Sequence, residues 1–320
     1  MNKTLLVDCD TGVDDAIALL YLLADPEVEI CGITTVFGNI SAGEAARNSL
    51  CVLDVMGATG KIPVAAGSEL TFIGQLLEHA TFVHGANGMG GVELAPPKGT
   101  VSSKTAVELI VETVRARPGE VHLLATAPLT NVAAALRAEP RLPELVDGIT
   151  VMGGAVMAPG NITPAAEANI WHDPEAAQAV LVAPWPVTLV PLDATMGEVM
   201  TEGQRLQMAA SSSPVAKFAA SVLDFYFEFY TGIYGKKSSA CHDVLAAAIA
   251  VGDVVPKRSM TVPVSVETGF GPARGATVCD TRGQYKGQFE VQGANCTVVL
   301  ETGGDFSTAV VERLCSFQPG

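Results

Sequence analysis

Short apolar runs rich in Val, Ile and Leu alternate along this chain with longer amphipathic stretches. The runs at 5–7, 29–36, 121–125, 149–152 and 187–190 are short and mostly apolar. Near-continuous runs of that length predict strands buried on both faces, as in a parallel sheet covered by helices. Between them, segments 14–24, 42–56, 102–115, 129–137 and 174–182 have helical length and spacing. Alternation of this kind predicts an α/β fold, a doubly wound and mostly parallel sheet flanked by helices.

From Thr201 the pattern turns helix-rich, with candidate helices at 214–231 and 241–251, and from Met260 to Glu301 it reads as short strands with Gly turns. No repeat, low-complexity tract or linker divides the 320 residues, which predicts one domain over 1–320. The least regular stretch, 85–99, is rich in Gly and Pro and predicts a mobile loop over a site.

Composition narrows the partners. With 48% hydrophobic residues, 17% charged and 32 glycines, the chain is a folding one rather than a disordered one. A net charge of −15 argues against nucleic acid or an anionic membrane, since both would repel it. A cation or a small neutral ligand fits better. No apolar run approaches the roughly 20 residues of a membrane span, and the start Met-Asn-Lys-Thr, followed at once by a predicted strand, argues against a basic-apolar signal sequence. The seven cysteines are scattered without a CxxC pair, which suits reduced core residues more than a disulfide framework or a zinc site. These features predict a cytoplasmic protein.

Against that background, "TLLVDCDTGVDDAIALL" stands out, with Asp8, Asp10, Asp14 and Asp15 between two apolar runs. The flanks predict a buried strand and then a helix, so the acids gather at the turn between them. One acid would serve as a helix N-cap. The others need a different explanation, and a divalent cation supplies one.

Other polar clusters also follow predicted strands, where open α/β sheets bind ligands. They are Gly38-Asn39 in "TTVFGN", Thr126 to Asn131 in "LLATAPLTN", Asn161, Glu167 and Asn169 in "VMGGAVMAPGNITPAAEAN", and His242-Asp243 in "ACHDVLAAA". Singly, an Asn in a Gly loop serves a turn, and a lone His is a satisfied core or cap residue. Together they predict a polar site. Carboxylates, amides and carbonyls are hard oxygen ligands, suited to Ca²⁺ or Mg²⁺ and not to zinc or copper.

The motif "DCDTGVDDAIAL" resembles the Asp-x-Asp-x-Gly-x-Asp-Asp signature of the inosine-uridine-preferring nucleoside hydrolases. "VFGN", "TAPLTN", "VMGGA" with "GNITPAAEANIWHDPEAA", and "CHDVLAAA" resemble later blocks of that family in the same order, and "GPARGATVCD" its closing strand. The resemblance implies the nucleoside hydrolase fold and hydrolysis of the N-glycosidic bond of ribonucleosides to free base and ribose. It also implies one Ca²⁺ per subunit, held by Asp10, Asp15, Asp243 and the carbonyl of Thr126. Asp10 would act as general base on the attacking water. Asp14, Asn169 and Asp243 would hold the ribose 2′- and 3′-hydroxyls, Asn161 and Glu167 the 5′-hydroxyl, with Met152 packing near the sugar. Asn39 would bond the metal-site carboxylates and the sugar, and Asp8 would support them from behind. His242 would protonate the leaving base, and the family's members are homodimers or homotetramers.

The chain departs from the family's pattern in places. It reads His84-Gly85-Ala86-Asn87-Gly88 where His-Gly-x-Asp-Gly is frequent, which touches the role of His84 at the base. Ala127, Val244 and the pair Trp171-His172 are further departures. Base contacts are sought in "FYFEFYTGIYGKK", where Phe225 and Phe229 read as helix core while Tyr230 and Tyr234 read as pocket residues, because a buried phenol wants a partner. A His beside the metal aspartate goes with uridine, cytidine or broad inosine-uridine preference. Two other functions compete. One is a haloacid-dehalogenase-type phosphatase with Asp8 as nucleophile, and the other a non-catalytic Ca²⁺-dependent ribosyl-binding protein.

Overall fold

The computed structural model describes residues 3–319. The apolar runs form strands β1 (Lys3–Cys9), β2 (Val28–Thr35), β3 (Val64–Ala66), β4 (Val121–Ala125), β5 (Gly148–Met152) and β6 (Val187–Val190). They are joined in the order β3-β2-β1-β4-β5-β6, and the sheet continues through Cys296–Glu301 to Arg258–Val262. Every pairing is parallel except the last, where Arg258–Val262 runs antiparallel to Cys296–Glu301. The doubly wound, mostly parallel sheet flanked by helices is as predicted.

Burial on both faces follows from the pleat. Leu5, Val7 and Cys9 of β1 pack into one apolar cluster, while Leu6 between them packs into a second on the opposite side. Helices Val13–Leu23, Pro214–Tyr234 and His242–Val251 cover the first face, and Ala106–Ala116, Thr130–Ala138 and Pro174–Leu181 cover the other. No helix among the described residues is long and apolar enough to cross a membrane.

Two features shape the site. The chain moves outwards from β1 to β2 and β3, then returns to the other flank of β1 as β4. The crevice between β1 and β4 is therefore a topological switch point, open at the carboxyl ends. The stretch 85–99, expected as a mobile loop over the site, is instead pinned beside it. Asn87 accepts from the amides of Met89 and Gly91 and donates to the Val92 carbonyl, and Met89 is buried in the core. The neighbouring segment Ala80–His84 faces the site instead.

Candidate active site

A cavity of about 860 Å³, counted with its open mouth, lies over the carboxyl ends of the strands. Its polar floor comes from the turns after β1, β2, β4 and β5. Asp10 follows β1, Asn39 follows β2, Thr126 follows β4, and Met152 ends β5. Asp14, His84, Asn161, Glu167, Asn169, Tyr230, His242 and Asp243 also line it. Residues from seven separate stretches of sequence thus converge.

The first turn of helix Val13–Leu23 explains the glycine among the acids. Asp15 accepts from the Gly12 amide at 2.9 Å, so it caps the helix. A Cβ on Gly12 would lie 2.6 Å from both Asn39 Nδ2 and His84 Nδ1, so only glycine fits there. Gly38 is constrained in the same way, because a Cβ there would collide with the Asp10 carboxylate. The Asn39 amide and side chain then donate to Asp10 at 2.7 and 3.0 Å, and the same side chain donates to Asp15 at 3.3 Å.

The carboxylates are stacked beneath the cavity. Thr126 Oγ1 donates to Asp15 at 2.7 Å. Asp14, Asp15 and Asp243 each bring an oxygen to within 4.8 Å of the others, a group that could hold a metal ion. Asp10 stands outside that trio and is bridged to it by Asn39. No lysine or arginine lines the cavity among the described residues. Burial therefore dominates the acidities. It raises Asp10 and Asp243 well above the usual carboxylate range, with further elevation from neighbouring aspartates. Asp15 is raised to about 6, by burial first and the charge of Asp14 second. Asp14 Oδ1 is buried without a hydrogen-bond partner. Hard oxygen donors, uncompensated charge and an orphaned carboxylate oxygen together fit a hard divalent cation.

Asp8 sits one layer deeper and does not line the cavity. Its Oδ1 accepts from Thr34 at 2.6 Å and Asn131 at 2.8 Å, and burial raises it to about 7. A carboxylate so enclosed has no approach to a phosphate, which removes the phosphatase reading with Asp8 as nucleophile.

The sugar-side candidates are held by their own neighbours. Asn169 Nδ2 donates to the carbonyls of Thr126 and Met152 at 3.0 and 3.2 Å. Glu167 is buried and accepts from the amides of Gly154, Asn169 and Ile170, so it caps the helix Ala168–His172. Burial raises its pKa to about 7. Asn161 is exposed at the rim and accepts from the Ala168 amide at 2.9 Å.

On the opposite wall, His242 Nε2 lies 2.6 Å from the Tyr230 hydroxyl and Nδ1 lies 2.8 Å from Thr195 Oγ1. Burial pushes His242 down to about 4, so the imidazole is neutral at neutral pH. Tyr226 donates to Asp14 at 2.9 Å. His84 Nδ1 accepts from the Val13 amide at 3.2 Å and lies 3.6 Å from Asp14 Oδ1. Burial lowers its pKa too.

Aromatic residues of the long helix divide differently from expectation. Tyr226, Phe229, Tyr230 and Ile233 line the cavity at i, i+3, i+4 and i+7, one face of a helix. Phe229 therefore belongs to the cavity wall and not only to the core. Phe225 is 38% exposed. Tyr234 does not line the cavity; its hydroxyl donates to the Met196 carbonyl at 3.1 Å, and its ring stacks on Tyr230. Phe82, Ile162, His172 and Met196 are lining residues that sequence patterns did not single out as site residues. The 3.6-residue period of 226–233 was the available signal for Phe229 and Ile233; Phe82 and Ile162 had none.

The geometry has counterparts. A family model described as inosine-uridine preferring nucleoside hydrolase matches residues 5–306. A probable uridine nucleosidase 2 of Arabidopsis thaliana is 39% identical over 250 residues, 77% of each chain. An inosine-uridine preferring nucleoside hydrolase of Leishmania major is 36% identical over 88% of this chain and 89% of its own. The solved plant nucleoside hydrolase PpNRh1 superposes with a TM-score of 0.92 at 29% identity, covering 99% of this chain and 100% of that one.

Proposed function

The chain belongs to the inosine-uridine preferring nucleoside hydrolase family and is an N-ribosyl hydrolase, and we propose that its reaction is Ca²⁺-dependent and favours uridine and cytidine or a broad inosine-uridine range. The observation that carries the proposal is the set of buried, uncompensated carboxylates beneath an open cavity. Asp10, Asp15, Asp243 and the Thr126 carbonyl are the groups that would hold the ion. When bound, Ca²⁺ supplies a Lewis acid that lowers the pKa of water at the floor.

Asp10 takes the proton of the attacking water while the remaining hydroxyl adds to the sugar C1′. Asn39 fixes the Asp10 carboxylate from two sides, so its accepting oxygen is held in place. Asp14, Asn169 and Asp243 bind the 2′- and 3′-hydroxyls, Asn161 and Glu167 bind the 5′-hydroxyl, and Met152 packs near the sugar. As the bond to the base lengthens, positive charge grows on the ribose, and the carboxylates below stabilise it. The departing base accepts a proton from the His242–Tyr230 pair, which closes the proton balance. His84 and Tyr230 flank the base, and Phe82, Phe229 and Ile233 give it an apolar surface.

The names of the Arabidopsis and Leishmania relatives favour uridine among the substrates. A cytoplasmic homodimer or homotetramer in nucleoside catabolism and salvage is the setting this reading gives the protein. The test is a panel of ribonucleosides incubated with calcium or with chelator, with free base detected. Release from uridine that chelator abolishes is expected. Undiminished release in chelator overturns the calcium dependence, and no release from any nucleoside leaves the ribosyl-binding reading in its place.

A further inference from the structure

Behind His242 lies Thr195, a residue that no motif singled out. It ends the short helix Leu192–Thr195, is fully buried, and faces the imidazole Nδ1 at 2.8 Å. The Thr195 hydroxyl and the Tyr230 hydroxyl thus hold the two ring nitrogens from opposite sides.

The direction of these bonds follows from burial. Thr195 Oγ1 is fully buried, and among the described residues His242 Nδ1 is its one hydrogen-bond partner, so its proton goes to the ring. Nδ1 is then the bare nitrogen of the ring, and Nε2 carries the proton that it donates to the Tyr230 oxygen. Tyr230 lines the cavity, so its own proton is free to face the ligand.

We propose that Thr195 is a positioning residue, whose hydroxyl donates to His242 Nδ1 and fixes the imidazole in the Nε2–H tautomer facing Tyr230 and the cavity. This rests on the hydrolase reading above, in which the His242–Tyr230 pair serves the leaving base. Without the hydroxyl, the ring loses its preference between two tautomers, and in one of them a lone pair faces Tyr230 instead of a proton.

The experiment compares Thr195→Val, which keeps the shape and deletes the hydroxyl, with Thr195→Ser, which keeps the hydroxyl. Both are assayed in calcium on uridine and on p-nitrophenyl riboside, whose leaving group needs no proton. Thr195→Val is expected to lose about a hundredfold in kcat on uridine and far less on the nitrophenyl substrate, and Thr195→Ser to recover most of the loss. Nitrogen-15 spectra of histidine-labelled protein give a second reading. The Nε2–H form is expected for His242 in the unaltered protein, and a mixture in Thr195→Val. Equal losses on both substrates, no loss on uridine, or an Nδ1–H ring in the unaltered protein would overturn the proposal. If the unaltered protein releases no base from uridine or inosine, the activity reading itself fails, and that result is separable from the others.

Discussion

The two ends of the central sheet handle negative charge in opposite ways. At the amino ends of β1, β2 and β4, Glu29 receives both terminal nitrogens of Arg117 at 2.7 and 3.0 Å. The same guanidinium reaches Thr4 and Glu120. These bonds lower the Glu29 pKa below its usual value. At the carboxyl ends of the same strands, buried aspartates face one another with no lysine or arginine among the lining residues, and their pKa values rise. An acid paired within the chain serves the fold, whereas an acid left unpaired keeps its oxygens free for a cation or a developing positive centre. The unpaired end costs stability unless a cation occupies it.

The largest effect comes from the unpaired end. Asp10→Asn keeps the size but retains only one oxygen to accept from Asn39 and cannot accept the proton of water, so turnover is expected to fall by about a thousandfold or more with the fold intact. Near-normal kcat in that variant would remove Asp10 from the base role. His242→Ala sharpens the picture on the opposite wall. Uridine hydrolysis should drop by about a hundredfold while p-nitrophenyl riboside hydrolysis largely persists; matching losses would point to binding or folding instead.

A titration of stability tests the contrast between the ends. Asp8, Asp15 and Glu167 are raised to about 7, 6 and 7, above the ordinary value near 4. A raised acid stabilises fully below its unfolded pKa, and that contribution is lost as pH rises through the folded value. The metal-free protein should therefore melt higher at pH 6 than at pH 8. His122, pushed down to about 4 by burial, acts in the opposite sense, but only as pH falls from about 6.5 towards 4. Calcium at a hundred times its Kd should add about 2.7 kcal/mol and flatten the trend between pH 6 and 8. A melting temperature in chelator that does not respond to pH, or calcium without effect, would break the comparison. The smallest effect lies at the paired end: Arg117→Gln breaks an exposed ion pair and should cost about 1 kcal/mol or less, a few degrees of melting temperature, with kcat unchanged.

Much of the floor was legible before folding, because it is local. Asp10, Gly12, Asp14 and Asp15 lie within one strand-turn-helix unit, and apolar flanks already say that the turn is held by buried elements. The strand runs at 5–7, 121–125, 149–152 and 187–190 all lie within observed strands. Less local elements escaped. The short β3 and the helix Phe306–Ser316 were not foreseen, nor was the entry of Cys296–Glu301 into the main sheet between β6 and Arg258–Val262.

What the chain settled alone is the kind of chemistry: hard oxygen ligands at strand ends, a histidine beside an aspartate, and a family signature carrying both. The tertiary structure decided which groups meet. Parallel pairing is non-local, so only the return of β4 beside β1 brings Thr126 to Asp15. Likewise, a phenol on a helix reads the same in core or cavity, and only packing turned Tyr226 and Tyr230 towards Asp14 and His242 while Tyr234, about one turn further along, bonded the Met196 carbonyl. Periodicity encodes which face of an element is buried. What lies against that face is set by contacts distant in sequence, which no local pattern records.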